Sequence, residues 1–277
     1  MIKVNFGKDL SYKKWVFPGG EVGVKFDDLE DVNPRINYHV NISVIHQRVT
    51  AEDQLVIINL IDALNQKGFT NIHLYMCYLP YARQDRVCSD GESFALKVFL
   101  NMLNTVRFNC LYTFDVHNFD AVLNLTAKMK YRYHDYNSGY FLIALRDNGY
   151  LDSDTTIVLP DKGAAKKLDV VKDIHKGKII IADKTRGNIG QVIHTIPENP
   201  SGKVLVLDDI CDGGATFLSL AGLLTAADDV TLAVSHGIFS KGLVELLDHY
   251  DSIVCYNNMS GIIEQSIGHY CNFRVLN

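Results

Sequence analysis

Val204-Leu-Val-Leu-Asp208-Asp209-Ile210-Cys211-Asp212-Gly213-Gly214-Ala215-Thr216 reads as a short aliphatic strand, a pair of carboxylates, and a turn of small residues that opens a helix. An unbroken aliphatic run before the acids is the pattern of a strand buried on both faces of a parallel sheet. Gly213, Gly214 and Ala215 leave their backbone N–H groups unobstructed, the helix start adds a favourable dipole, and Thr216 adds a hydroxyl, so the turn can cradle a phosphate. Asp208 and Asp209 beside it are suited to accept hydrogen bonds from sugar hydroxyls or to hold Mg²⁺. Other acidic motifs fit less well. A calcium-binding EF-hand loop needs an oxygen ligand where Ile210 stands, and a helical Asp-Asp-x-x-Asp motif is not preceded by an aliphatic strand or followed by two glycines. A ligand-free glycine turn is the plain alternative, and adjacent carboxylates with no cation or sugar to justify them count against it.

Outward from this stretch, short β-branched runs alternate with helical segments, which predicts an α/β fold of mostly parallel sheets with flanking helices. Expected strands are Ile72–Cys77, Leu111–Phe114, Thr155–Leu159, Lys178–Ala182, Val204–Leu207, Thr231–Ser235 and Ser252–Cys255. Thr50 reads as a helix N-cap with Asp53 three residues on, followed by a face of Leu55, Ile58, Ile61 and Leu64 and a stop at Gly68. Further helices are expected over Phe94–Leu103, Thr216–Leu224 and Gly242–Leu247. The Tyr-rich stretch Tyr131–Tyr140 has no clear period and reads as the boundary between two α/β domains, 1–140 and 141–277. In an open parallel sheet, ligands bind beyond the carboxyl ends of the strands. Acids stand there at Asp115 (with His117 two residues on), Asp161, Asp183 and Asp208-Asp209. Any one alone would more often be a helix cap. Together they indicate a site.

The chain has 277 residues, 47% hydrophobic and 21% charged, enough for one large or two medium cores. A net charge of -5 argues against a protein whose main task is to grip nucleic acid or an anionic membrane. No apolar run approaches the roughly 18 residues of a membrane helix, and the opening residues lack a signal-peptide core, which together predict a cytoplasmic protein. The six cysteines form no Cys-x-x-Cys pair and are expected to be reduced thiols.

Asp208–Thr216 resembles the ribose 5-phosphate signature shared by type I phosphoribosyltransferases and ribose-phosphate diphosphokinases, the PRPP synthetases. Tyr78-Leu-Pro-Tyr81-Ala82-Arg83-Gln84-Asp85-Arg86 and Phe17-Pro-Gly-Gly20-Glu21 resemble motifs of the diphosphokinases that the phosphoribosyltransferases lack. Pro160-Asp161-Lys162-Gly163-Ala164 and Asp183-Lys184-Thr185-Arg186 match the shorter, archaeal-type members. The resemblance runs from about residue 15 to 260. It implies two tandem phosphoribosyltransferase-like, Rossmann-type domains, the first binding ATP and the second ribose phosphate. It implies an ATP-dependent diphosphokinase that moves the β,γ-diphosphate of ATP to the 1-hydroxyl of ribose 5-phosphate, giving PRPP and AMP.

By the same resemblance, Phe17 and Glu21 contact adenine from a neighbouring subunit, which implies a homodimer or homohexamer, and Arg83, Gln84 and Asp85 lie along the nucleotide. Asp208, Asp209, Asp212, Gly213, Gly214, Ala215 and Thr216 hold the ribose phosphate. His117 and Asp161 take the place of the family's Mg²⁺ ligands. Lys184 and Arg186 take the place of its catalytic pair, where two cations closing over a migrating diphosphoryl group would stabilise transition-state charge. Gly187, Asn188 and Gly190 follow, a composition expected of a flexible lid.

Some positions depart from the family pattern. Gly19 stands where an acid is usual, and Val87–Gly91 replaces several basic residues. Gly213 replaces a threonine, and Ala215 replaces a glycine. The missing hydroxyl suggests more room near the 5-phosphate, which would suit a larger acceptor such as ADP-ribose. Against a phosphoribosyltransferase stand Arg83–Arg86 and the Lys184/Arg186 pair. Against a non-catalytic, binding-only relative stands the presence of Lys184, Arg186, His117 and Asp161.

Overall fold

The computed structural model describes residues 2–29, 39–164, 168–186, 192–262 and 273–276. The chain divides into two compact units, Met1–Tyr136 and Asn137–Asn277. Unit 1 contains β1 (Lys3–Asn5), β2 (Tyr12–Val16), β3 (Val22–Phe26), β4 (Val40–Val44), α1 (Ala51–Lys67), β5 (Ile72–Met76), α2 (Ala95–Leu103), β6 (Cys110–Phe114), α3 (Phe119–Thr126) and β7 (Arg132–Tyr136). Its sheet runs β1-β4-β5-β6-β7, with β1 antiparallel to β4 and the other pairs parallel. β2 and β3 form a separate antiparallel hairpin.

Alternation along the strands separates two faces. Val40, Ile42, Ile72, Leu74 and Leu111 are fully buried and share one core with Ile57, Leu60 and Leu64 of α1 and Phe99 and Leu100 of α2. The opposite face carries a row of rings, Tyr75 on Tyr112 at 4.4 Å and Tyr112 on Tyr136 at 6.1 Å. Helix α1 starts and stops where its sequence signals lie. The Thr50 side chain accepts from the Asp53 N–H and the Asp53 carboxylate accepts from the Thr50 N–H, while Gly68 closes the other end at φ 98°. Its buried face matches the expected one in part: Ile61 and Leu64 are in the core and Ile58 packs against it, but Ile57 and Leu60 join them while Leu55 is 46% exposed. The run Val56-Ile-Ile58 allows two overlapping i, i+3, i+4 stripes, and the strands select one.

Unit 2 contains α4 (Ser138–Asp147), β8 (Thr156–Leu159), α5 (Leu168–Ile174), β9 (Ile179–Ile181), β10 (Asp183–Arg186), β11 (Val192–Thr195), β12 (Gly202–Cys211), α6 (Ala215–Ala221), β13 (Ala227–Gly237), α7 (Val244–Leu247), β14 (Ser252–Asn258) and β15 (Phe273–Val275). Its six-stranded sheet runs β15-β14-β13-β12-β8-β9 and is wholly parallel. β10 and β11 form an antiparallel hairpin outside it. The division between the units falls within the stretch Tyr131–Tyr140. That stretch supplies edge strand β7 and then Asn137, whose side chain caps α4. The polar, aromatic residues of β7 suit an edge position, where one face is less buried and the alternation is blurred. Among the described residues no helix is long and apolar enough to cross a membrane.

The capping geometry of α1 gives the first prediction. Thr50→Ala and Gly68→Ala should each lower unfolding free energy by about 1 kcal/mol in urea titrations. An unchanged midpoint in both variants would contradict the assigned helix ends.

Candidate active site

Strand β12 is longer than its aliphatic run because β13 continues to pair beside it, Asp208 opposite Val234 and Ile210 opposite His236. Asp208 and Asp209 therefore lie on the strand rather than after it, and their side chains point to opposite faces. Asp209 is 6% exposed, and Asp208 is half-buried with its carboxylate accepting from the Asp209 N–H at 2.9 Å. The two acids do not form a side-by-side clamp.

After β12 the chain turns at Asp212–Gly214. The carboxylate of Asp212 accepts from Ser240 Oγ at 2.7 Å, and its carbonyl accepts from the Ser240 N–H at 3.0 Å, which ties the turn to the segment following β13. Gly214, at φ 82°, is the N-cap of α6, and Thr216 lies in the first turn of that helix. A Cβ added to Gly213 would lie 3.6 Å from Lys241 Cε and 3.8 Å from Ser240 Oγ. The Lys241 stem thus borders the space beside Gly213 at ordinary contact distance.

Lys184 reaches this turn from hairpin β10–β11. Its Nζ donates to Thr216 Oγ1 at 3.0 Å and lies 3.3 Å from Asp161 Oδ2, in the loop after β8. Asp161 Oδ1 accepts from the Ala164 N–H at 2.9 Å. Burial alone would raise the Asp161 pKa, but the backbone N–H of Ala164, the Lys184 charge and hydrogen bond and the Gly163 N–H outweigh it and hold the carboxyl below its ordinary range. Lys184, Asp161 and Thr216 are therefore brought together within one unit. Arg186 ends β10 opposite Val192; its side chain, and the lid expected at Gly187–Gly190, lie outside the described residues. Two neighbours were not singled out by sequence reading. His194, paired with Lys184 across the hairpin, is 4% exposed, and its Nδ1 lies 3.1 Å from Ser219 Oγ on α6. Neither carries a motif; only the hairpin pairing reveals them.

In unit 1 the Phe17–Glu21 loop is the tip of hairpin β2–β3, closed by Phe17 N–H to the Glu21 carbonyl at 2.8 Å with Gly20 at φ 96°. Phe17 is 48% exposed beside the Trp15 ring, centroids 5.8 Å apart. A Cβ at Gly19 would come within 2.5 Å of the Glu21 carboxylate, so the glycine makes room for that side chain to fold back over the loop. Arg83 and Gln84 are exposed after the end of β5, and Asp85 is half-buried, its carboxylate accepting from the Asn118 side-chain amide. That bond joins the Arg83–Arg86 loop to the loop after β6, where His117 is exposed. Asn118, which also caps α3, had no sequence signal beyond its position. Asp85 is thus engaged in fixing two loops at the carboxyl ends of adjacent strands.

The described cysteines Cys77, Cys88, Cys110, Cys211 and Cys255 are free thiols. Burial pushes Cys77 up to about 12, with Asp135 adding to it, and burial followed by the charges of Asp208 and Asp212 does the same for Cys211. Such thiols are poor nucleophiles.

No family model matches the chain. Curated relatives do. A protein named ribose-phosphate pyrophosphokinase from Thermococcus kodakarensis is 30% identical over 189 residues, 66% of this chain and 65% of that protein. One of the same name from Pyrococcus abyssi is 29% identical over 189 residues, 66% of this chain and 64% of that protein. The chain is similar to proteins named ribose-phosphate pyrophosphokinase. The matched region spans just under two thirds of the length of these two pyrophosphokinases, and a third, from Pyrococcus furiosus, is matched over 79% of its length at 28% identity. The crystal structure of phosphoribosylpyrophosphate synthetase from Mycobacterium smegmatis superposes with a TM-score of 0.78 at 21% identity, covering 96% of this chain and 86% of that one. The chain therefore has the α/β fold of that synthetase, with mostly parallel sheets.

The turn carries a stability prediction that separates its two glycines. Gly214→Ala places a Cβ at φ 82° and 3.3 Å from Leu246, and should cost about 1–2 kcal/mol. Gly213→Ala meets only ordinary contacts and should change stability by less than about 0.5 kcal/mol. Thermal melts that rank the two in the opposite order would contradict this turn geometry.

Proposed function

We propose that the protein is an ATP-dependent diphosphokinase that transfers the β,γ-diphosphate of ATP to the 1-hydroxyl of ribose 5-phosphate, forming PRPP and AMP. The observation that carries this reading is the Lys184 ammonium held at 3.0 Å from Thr216 and 3.3 Å from Asp161, in a chain that also has Arg83–Arg86 and the Phe17 loop. In the transfer, the oxygen on C1 attacks Pβ, the bond between Pβ and the oxygen bridging to Pα breaks, AMP leaves with that oxygen, and the hydroxyl proton goes to solvent or base. Little covalent work falls to the protein, so positioning and charge neutralisation dominate. Lys184 is already partly desolvated, with its amine directed at the turn where the acceptor's phosphate is proposed to sit. It needs only to exchange a carboxylate and a hydroxyl for phosphoryl oxygens. Arg186 is proposed as its partner, and Asp208, Asp209 and Asp212–Thr216 as the ribose-phosphate site.

Arg83 and Gln84 are exposed on the loop after β5 and are proposed to lie along the nucleotide, Arg83 having the fork geometry that suits phosphate oxygens. Phe17, exposed on its hairpin with Glu21 folded back beside Gly19, is proposed to stack on adenine of a neighbouring subunit in a homodimer or homohexamer.

Mg²⁺ is the proposed metal. Among the described residues no group of three or more His, Cys, Asp or Glu forms a cage. That fits an ion held by one or two carboxylates together with substrate phosphates, and Asp161, kept ionised, offers the hard oxygen required. In the first unit, the exposed His117 is likewise proposed as a Mg²⁺ ligand. When bound, the ion would neutralise charge on the ATP phosphates.

Lys241, whose Cε lies 3.6 Å from where a Gly213 Cβ would stand, borders the proposed phosphate turn and is placed to meet a phosphate charge there. Incubation with MgATP should release AMP and form a new anomeric diphosphate, read by ³¹P NMR, with ribose 5-phosphate and not with ADP-ribose. Lys184→Ala should lower kcat about 10²–10³-fold while leaving substrate dissociation constants within a few-fold. Turnover with ADP-ribose alone would move the acceptor assignment, and silence with both would overturn the reading.

A further inference from the structure

Hairpin β10–β11 and helix α6 meet at two points. On the hairpin, Lys184 and His194 face each other across the strand pair and so project from the same side. On the helix, Thr216 and Ser219 are three residues apart and share a face. Lys184 Nζ meets Thr216 Oγ1 at 3.0 Å, and His194 Nδ1 meets Ser219 Oγ at 3.1 Å. One contact alone would leave the hairpin free to pivot about it. Two contacts from adjacent positions onto adjacent positions fix the rotation of the hairpin against the helix.

We infer that His194 is the positioning residue for Lys184, its Nδ1–Ser219 bond holding β10 in the register that delivers the ammonium to Thr216 and Asp161. This inference rests on the reading of Lys184 as the cation of the diphosphoryl transfer. The chemistry of the ring suits the role. His194 is 4% exposed, so the bond is shielded from competing water. Its Nε2 is buried without a well-formed hydrogen bond, so the polar link of this ring to the helix is made through Nδ1. Burial first, then the Lys184 charge, lower its pKa against the opposing pull of Asp161 and the Pro160 carbonyl. That direction disfavours a second positive charge beside Lys184.

Side-chain shape separates positioning from plain packing. Asparagine places a polar atom where Nδ1 stands, glutamine places one nearer to Nε2, and leucine fills volume with no polar atom. His194→Asn should keep kcat within about 3-fold, while His194→Gln, His194→Leu and Ser219→Ala should lower it about 10- to 100-fold with both KM values within about 2-fold. A packing role gives the opposite order, with leucine and glutamine better tolerated than asparagine. A second readout does not depend on turnover. Pulsed acetylation of the folded protein followed by mass spectrometry reports access to the Lys184 amine, which should rise several-fold in His194→Leu and Ser219→Ala and stay near wild type in His194→Asn. Lys184 labelling that is the same in all four variants would overturn the inference even if the enzyme is active. The expected labelling pattern in a protein that transfers no diphosphate would leave His194 as the anchor of Lys184 and sink the diphosphokinase reading instead.

Discussion

A single ammonium connects three elements of the second unit. Lys184 on β10 meets the carboxylate of Asp161, which follows β8, and the hydroxyl of Thr216, which opens α6. Its side chain is 23% exposed and that of Asp161 30%. At such exposure an ion pair adds little to stability, so its importance is geometric. The surrounding fold makes the meeting possible. β12 lies beside β8 in a fully parallel sheet, which brings the loop after β8 and the turn after β12 to the same edge. The β10–β11 hairpin, outside the sheet, packs against α6 and supplies the cation to that edge.

The first unit obeys the same rule with different residues. Its parallel strands β5 and β6 are neighbours, so the Arg83–Arg86 loop and the His117 loop emerge side by side, and the Asp85–Asn118 bond joins them. Arg83 and Gln84 are left exposed by that arrangement while Asp85 takes the structural part. The separate β2–β3 hairpin is fastened to α1 by Asn59 Nδ2 on the Val22 carbonyl and by Lys14 on Glu52. Its exposed Phe17 tip is therefore carried on a fixed base.

Much of this was legible in the sequence, for identifiable reasons. Buried parallel strands are continuous apolar runs, and Thr156–Leu159 and the start of β12 stand out as such, while Ile72–Met76 shows alternating Ile72, Leu74 and Met76. The ends of α1 follow from a threonine that can cap and a glycine that can take positive φ. What escaped depended on partners distant in sequence. β12 extends past its aliphatic run because β13 offers matching backbone, so Asp208 and Asp209 moved from a loop to a strand and to opposite faces. β7 is polar and aromatic because it is an edge strand. The buried face of α1 was ambiguous within one apolar run. The neighbour of Gly213 is Lys241, 28 positions away in sequence but brought close by Asp212–Ser240 hydrogen bonds. His194 and Ser219 have no motif and become visible only through the register of a hairpin.

The most direct test of the account follows the anomeric oxygen. In a diphosphoryl transfer the C1 oxygen is the nucleophile and stays in the product, whereas chemistry at C1 of the phosphoribosyltransferase kind would expel it. Ribose 5-phosphate carrying ¹⁸O at C1, freshly prepared and incubated with MgATP and the protein, should yield PRPP with the label in the bridge between C1 and Pβ, seen as an isotope shift in the ³¹P spectrum. Product formed with that bridge unlabelled would contradict the proposed reaction.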